Sequence, residues 1–249
     1  MRIIRHNAYI AKRKTRAKLL ALAGFVMLIG TLFVALLPNF LAPAYIVMLI
    51  GFVLFNLGMQ QVGKWTRNPR NDQIFDNQLK TLADRYALVH YPPIGKRRAE
   101  HLLIHPGGVL IVTAKEIDGK ISAIGSKWRR SNPGLRKFLT FSGPQLGNPG
   151  IETEQAVGEV EAWLTEHQLE IDVEGAVVFV HPSIELDVEA PDFPVLHGDE
   201  LPQFVQSMEP DPTFTAKERA RLLELLGTGE QVESPAVRAR RRPVKRRAA

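Results

Sequence analysis

Hydropathy divides the chain before any other property does. No charged residue occurs from Leu19 to Gly63. Two apolar runs fill that window, 19–37 and 41–59. A run of about 19 residues spans roughly 28 Å as a helix, close to the roughly 30 Å hydrocarbon core of a bilayer. Pro38-Asn39-Phe40-Leu41-Ala42-Pro43 separates the runs and leaves room for little besides a tight reversal. Lipid offers backbone groups no hydrogen-bond partner, so two helices are expected, paired as a transmembrane hairpin. A secretory signal fits poorly, because the apolar region is too long, is doubled and lacks a small-residue cleavage site. The competing reading is a buried helical hairpin of a soluble protein. Gly24, Gly30, Gly51 and Gly58 allow close helix approach, although their spacing matches no dimer motif.

After the hairpin the periods shorten. Apolar residues at Phe75, Leu79, Leu82, Ala83 and Tyr86 have helical spacing. Ala87 to Tyr91 reads as a strand that Pro92-Pro93 ends. Leu102–Ile104 and Val109–Val112 flank Pro106-Gly107-Gly108, which is strand, tight turn, strand. Gly119 to Ile124 is expected to add a third strand to that meander. Asn148-Pro149 suits the opening of a helix whose apolar stripe is Ala156, Val157, Val160, Trp163 and Leu164. Gly175 to Val180 reads as a buried strand, and residues 183–198 as an acidic connection. Asp199 is expected to cap a short helix to Ser207. Thr215 and Glu218 form a capping box ahead of Leu222, Leu223, Leu225 and Leu226. The fold class is therefore α/β, a mixed sheet flanked by helices behind a two-helix hairpin. The expected divisions are a basic N-terminus (1–18), the hairpin (19–60), a linker (61–71), the α/β domain (72–207), a C-terminal helix (208–227) and a tail (228–249).

Charge changes this picture by its distribution. The formal net charge is +6 and there is no cysteine, which excludes disulfide and thiolate-metal frameworks. Residues 1–18 carry seven Lys/Arg and no acid, and residues 95–140 carry ten against three acids. Residues 150–234 reverse this with twenty acids against three basic residues, and 235–249 return to seven Lys/Arg and no acid. The last stretch is poor in apolar residues and is expected to be disordered. Basic residues flank both outer ends of the hairpin, with Lys64, Arg67 and Arg70 after it. By the positive-inside rule both termini and the α/β domain face the cytoplasm, in a multi-pass protein of the cell membrane.

The candidate chemistry lies at the ends of the central β-hairpin. Glu100 begins its first strand and Lys115 ends its second, so the turn brings a carboxylate and an amine to one sheet edge. Lys96, Arg97, Arg98, Lys127, Arg129 and Arg130 cluster around that pair in sequence, as do Trp128, Phe138 and Phe141. Cations with aromatic residues suit phosphate contact and base stacking. They suit anionic lipid equally well beside a membrane.

Glu100-His101, Pro106-Gly107-Gly108, Thr113-Ala114-Lys115 and Gly119, followed by Trp128 and Asn148-Pro149, resemble the nuclease-related domain over about residues 72–207. That family has the restriction-endonuclease-like PD-(D/E)xK fold. The resemblance implies a Mg²⁺-dependent phosphodiesterase site acting on DNA or RNA. It implies Glu100 and Asp76 on the metal and Lys115 on the scissile phosphate or attacking water, these three being the catalytic set. The pattern's second carboxylate falls at position 113, where this chain has Thr113. Glu116 is a poor substitute, because strand side chains alternate and 113 and 115 share the face that 116 leaves. Mg²⁺ can be held by one or two carboxylates with water and phosphate, so a weak site remains open. The expected function is a membrane-anchored protein that acts on or binds nucleic acid through a weakened or lost nuclease site. The alternative is a non-enzymatic membrane protein that uses the fold as a scaffold or partner-binding module.

Overall fold

The computed structural model describes residues 1–37, 40–95, 98–131, 144–227 and 230–232. They fall into two units, a sheet domain built from Met1–His6, Asn71–Ser131 and the described residues from Leu146 onward, and a helical hairpin within Asn7–Arg70.

The hairpin consists of α1 (Asn7–Val34) and α2 (Leu41–Thr66). The residues buried in α1 include Ile10, Ala17, Ala21, Gly24 and Thr31, and those in α2 are Ala44, Gly51, Gly58 and Trp65. Ile10, Ala17, Gly24 and Thr31 recur every seven residues, as do Ala44, Gly51, Gly58 and Trp65. The two helices therefore meet along a heptad seam made mostly of small side chains. A methyl group on Gly24 would collide with the Phe55 backbone, and one on Gly58 with the Ala21 backbone, whereas Gly30 faces open space. The large apolar side chains point outward: Leu36 is 81% exposed, Phe33 69% and Leu49 65%. Both helices are long and apolar enough to be candidate membrane spans.

The sheet domain begins ahead of the hairpin. β1 (Arg2–Arg5) pairs in parallel with β2 (Ala87–His90), which pairs antiparallel with β3 (His101–His105). β3 turns into β4 (Gly108–Lys115), and β4 pairs in parallel with β7 (Val173–Phe179). β9 (Val195–His197) and β10 (Glu230–Val232) close the two edges, giving the order β10-β1-β2-β3-β4-β7-β9. Arg2–Arg5 is thus a strand rather than a loose basic leader. Its Ile3 and Ile4 are buried, as befits a strand with neighbours on both sides.

Gly119–Ile124 is not a third strand of the meander. The place beside β4 belongs to β7, and this segment, β5, leaves for a second sheet. There it lies between β6 (Lys127–Ser131) and β8 (Ile184–Glu189). β8 and β9 fall within the 183–198 stretch expected to be a connection.

Helices cover both faces of the main sheet. α3 (Asn71–Gln78) and α5 (Leu201–Ser207) pack on one face, where Phe75, Leu79, Leu201 and Val205 meet Leu88, Leu103, Leu110, Val112, Ala176 and Val178. The longer α4 (Pro149–Glu166) and α6 (Ala216–Leu226) pack on the other, where Val160, Leu164, Leu222 and Leu226 meet Leu102, Ile104, Val109 and Ile111. The C-terminal helix is therefore part of the core. Both caps form as expected: Asn148 Oδ1 accepts from Ile151 N at 3.2 Å, and Thr215 and Glu218 make a reciprocal capping box. The short α5 starts one residue later than expected, with Glu200 at its cap.

Candidate nuclease-related site

Strand alternation sorts the candidate residues before any contact is considered. Leu103, Leu110 and Val112 point to the α3 face, so His101 does too, whereas Thr113 and Lys115 point to the α4 face. Glu100 precedes β3, and continuing the His101↔Val112 register sets it opposite Thr113. Its backbone carbonyl still accepts from Tyr91 N at 2.8 Å, so the ladder reaches it, and its Oε2 is buried.

Lys115 is 8% exposed and its amine donates to both carboxylate oxygens of Glu152, at 2.7 and 2.8 Å. Glu152 sits in the first turn of α4, where the helix dipole favours an anion. Beside this pair the Thr153 and Thr113 hydroxyls are 2.7 Å apart, and Thr153 also donates to the Pro149 carbonyl at 2.8 Å. Position 113 is thus filled by a hydroxyl already engaged by α4. A methyl group added to Gly175 would meet Thr153 and the Phe193 ring, so the bare backbone there lets α4 lie close to the sheet. Trp128, on β6, reaches the same end of α4: its ring lies 6.1 Å from Phe179, and its Nε1 comes close to Gly150.

Asp76 belongs to the opposite face. One of its oxygens accepts from the Arg5 guanidinium and the other from His90 Nε2 at 2.9 Å. Arg5 Nε also pairs with Asp72 at 2.8 Å. His90 Nδ1 lies 2.8 Å from His101 Nδ1. Because Nε2 of a neutral His90 carries the proton that Asp76 accepts, its Nδ1 accepts and His101 Nδ1 donates. All five side chains are buried, His90 and His101 completely. This cluster joins β1, α3, β2 and β3. Sequence reading singled out Asp76 but not Arg5, Asp72 or His90, and placed Asp76 with Lys115. The structure brings Glu100, Thr113, Lys115 and Glu152 to one face and holds Asp76 on the other.

The expected phosphate contacts are dispersed. Lys96 and Arg97, with Phe138 and Phe141, lie outside the described residues. Arg98 donates to the Tyr91 carbonyl at 3.3 Å. Lys127 and Arg129 are exposed on one side of β6, while Arg130 shares the other side with Trp128 and is bound to Asp118, donating to its carbonyl at 3.0 Å. His181 Nδ1 accepts from Ser183 N at 3.2 Å within its own turn.

The family model for the nuclease-related domain matches residues 62–180. The chain carries a nuclease-related domain. No curated protein and no solved structure matches it. The matched stretch of the nuclease-related domain contains α3, β2 to β7 and α4, hence every candidate residue discussed above except Arg5 and His181. It leaves out β1, β8, β9, β10 and the last two helices, which complete the two sheets and both helical layers in this chain.

Proposed function

We propose that this protein is anchored in a membrane by α1 and α2 and holds nucleic acid at the Lys115 end of its nuclease-related domain, with a weakened phosphodiesterase centre. The outward-facing Leu and Phe side chains of the hairpin support the anchor, because in water they would be an aggregating surface. The absence of any acid before Asp72, against seven Lys/Arg in residues 1–18, supports a cytoplasmic domain by the positive-inside rule.

The observation that carries the site is the buried Lys115 amine held by Glu152 at the start of α4. A lysine amine nearly buried at the end of a strand is a ready phosphate contact once its carboxylate partner swings away. Glu152 is half exposed, so that movement costs little packing. The donor set fits a resident metal poorly. Among the described residues no three His, Asp or Glu side chains gather to hold one. Asp76, expected on the metal, already accepts hydrogen bonds from Arg5 and His90. Thr113 supplies a hydroxyl where the pattern asks for a carboxylate. No hydrolytic step is therefore assigned.

The test is binding and cleavage by the full chain in detergent or vesicles, with labelled DNA and RNA oligonucleotides in Mg²⁺ or Mn²⁺. Salt-sensitive binding with little or no product is expected. Lys115→Ala should weaken binding about tenfold, and Glu152→Gln should strengthen it, because it releases the amine for phosphate. Abundant product abolished by Lys115→Ala would overturn the weakened centre. No salt-sensitive binding, with both variants inert, would return the domain to the scaffold reading.

A further inference from the structure

α1 does not begin where its apolar stretch begins. It runs unbroken from Asn7 to Val34, so the basic residues before Leu19 are part of the same rigid rod as the span. Lys12, Arg13, Lys14, Arg16 and Lys18 are all exposed on it, while Ala17 between them is buried in the seam. At about 1.5 Å per residue these five cations occupy a band roughly 9 Å deep, starting one residue from the apolar stretch. The polar headgroup layer on each side of a bilayer is about 5–7 Å thick. At about 100° per residue they are also spread around the helix rather than lined up on one side. A groove-binding helix needs its cations on one side. A helix leaving a bilayer is surrounded by headgroups, so cations on all its free sides find phosphate. Nothing within the hairpin neutralises them, since the chain has no acid before Asp72 and that residue is held by Arg5. Arg13 is braced over Tyr9, whose hydroxyl accepts from its Nε at 2.9 Å. The returning helix adds Lys64 beside Trp65 near the end of α2.

From this we infer that the first turns of α1 are a binding site for anionic lipid headgroups, which concentrates such lipid around the anchor. The inference rests on the membrane-spanning reading above. The experiment separates the two. The full chain is reconstituted in phosphatidylcholine vesicles containing a trace of spin-labelled phosphatidylglycerol or spin-labelled phosphatidylcholine, and the motionally restricted fraction of each label is measured. Alkaline carbonate washing of the same vesicles reports whether the chain spans.

The expected result is carbonate resistance with about threefold more restricted phosphatidylglycerol than phosphatidylcholine, falling toward parity in high salt, where surface charge is screened. K12Q/R13Q/K14Q/R16Q/K18Q should remain carbonate-resistant and lose the preference. A variant with the Lys/Arg of 235–249 changed to Gln should keep it. Equal restriction of the two lipids by a carbonate-resistant chain would overturn the lipid site and leave the span standing. Release by carbonate would overturn both. A preference lost with the tail variant but kept by the helix variant would move the site off α1. An unchanged lipid preference with weakened oligonucleotide binding in the helix variant would make the band a nucleic-acid contact instead.

Discussion

The hairpin and the sheet domain bury opposite kinds of residue. In the domain Leu102, Leu103 and Ile104 are wholly enclosed, and the charged groups buried with them include Lys115 and the Arg5, Asp72 and Asp76 cluster. In the hairpin Leu32, Phe33, Leu36 and Leu49 are exposed, and the enclosed positions are taken by Ala17, Gly24, Gly51 and Gly58. Water drives the first arrangement, since removing apolar surface from it yields roughly 25 cal/mol per Å². On the membrane-spanning reading, lipid gives no such gain for helix–helix contact, and close backbone approach and van der Waals contact hold the second. The hairpin is an insertion between β1 and α3, and Arg5, just before it, is bonded to Asp72 and Asp76, just after it.

That insertion makes the largest prediction. Arg5→Ala removes a cation in contact with two buried carboxylates, and breaking a buried pair costs about 3–5 kcal/mol. The loss should appear as a lower midpoint in urea unfolding followed by far-UV circular dichroism in mild detergent. A shift no larger than that of an exposed control such as Arg129→Ala would show that the cluster is not what holds β1. The same logic governs shortened chains. A chain starting at Asn71 lacks the buried Ile3 and Ile4 of β1, a strand paired on both sides, and should fail to give a soluble folded domain. One in which a short Gly/Ser linker joins His6 to Asn71 should succeed, because the 2.8 Å Arg5–Asp72 contact brings those ends together. If the Asn71 chain folds as well as the linked one, β1 is dispensable and the insertion view is wrong.

The seam of the hairpin is tested by two glycines that sequence reading treated alike. Gly58→Leu forces a side chain into the Ala21 backbone, and overpacking of this kind costs about 1–3 kcal/mol. A Cβ added at Gly30 meets nothing within 4 Å, so Gly30→Leu starts into open space. The chain has no cysteine, so a Phe25→Cys/Phe55→Cys pair, at rings 6.3 Å apart, can report helix contact by its rate of oxidative crosslinking. The rate should fall several-fold with Gly58→Leu and stay unchanged with Gly30→Leu. Equal effects would mean that α1 and α2 do not meet along the heptad line.

The hairpin was legible because a long stretch without charge is a property of composition, and the β3–β4 turn because Pro-Gly-Gly is local chemistry. The capping residues Asn148, Thr215 and Glu218 were legible for the same reason. What the sequence hid is non-local. Arg2-Ile3-Ile4-Arg5 looks like the start of a basic leader, and only the partners β2 and β10 make it a strand. Asp76 meets Arg5 and Lys115 meets Glu152 across long stretches of chain that no spacing rule covers. Two signals were present and not used. Ile184-Glu185-Leu186-Asp187-Val188-Glu189 alternates as a half-buried strand should, inside a segment taken for a connection. The sevenfold recurrence of Ala44, Gly51, Gly58 and Trp65 marked one face of α2.

The smallest expected effect concerns a titratable side chain that the domain encloses, a kind not found among the described buried residues of the hairpin. His105 is 2% exposed at the end of β3. Its Nδ1 accepts from Gly107 N at 3.2 Å, so the neutral ring carries its proton on Nε2, which has no hydrogen-bond partner among the described residues. Burial lowers its pKa below the usual histidine value, and the Asp172 charge opposes that shift only in part. His6 is lowered in the same sense, by burial first and by Arg98 second. The unfolded chain titrates its histidines near about 6.5 and so binds more protons than the folded one just below that pH. The stabilisation is therefore complete above about pH 6.5 and is lost as pH falls from there toward the folded-state value. His105→Gln keeps an acceptor for Gly107 N but has no proton to gain. The melting temperature of that variant in detergent should fall less steeply than the parent's between about pH 6.5 and 5, with His6 accounting for part of the slope that remains. Parallel slopes would mean that the ring at 105 gains its proton as readily in the folded chain as in the unfolded one, and that the β3–β4 turn is open to water.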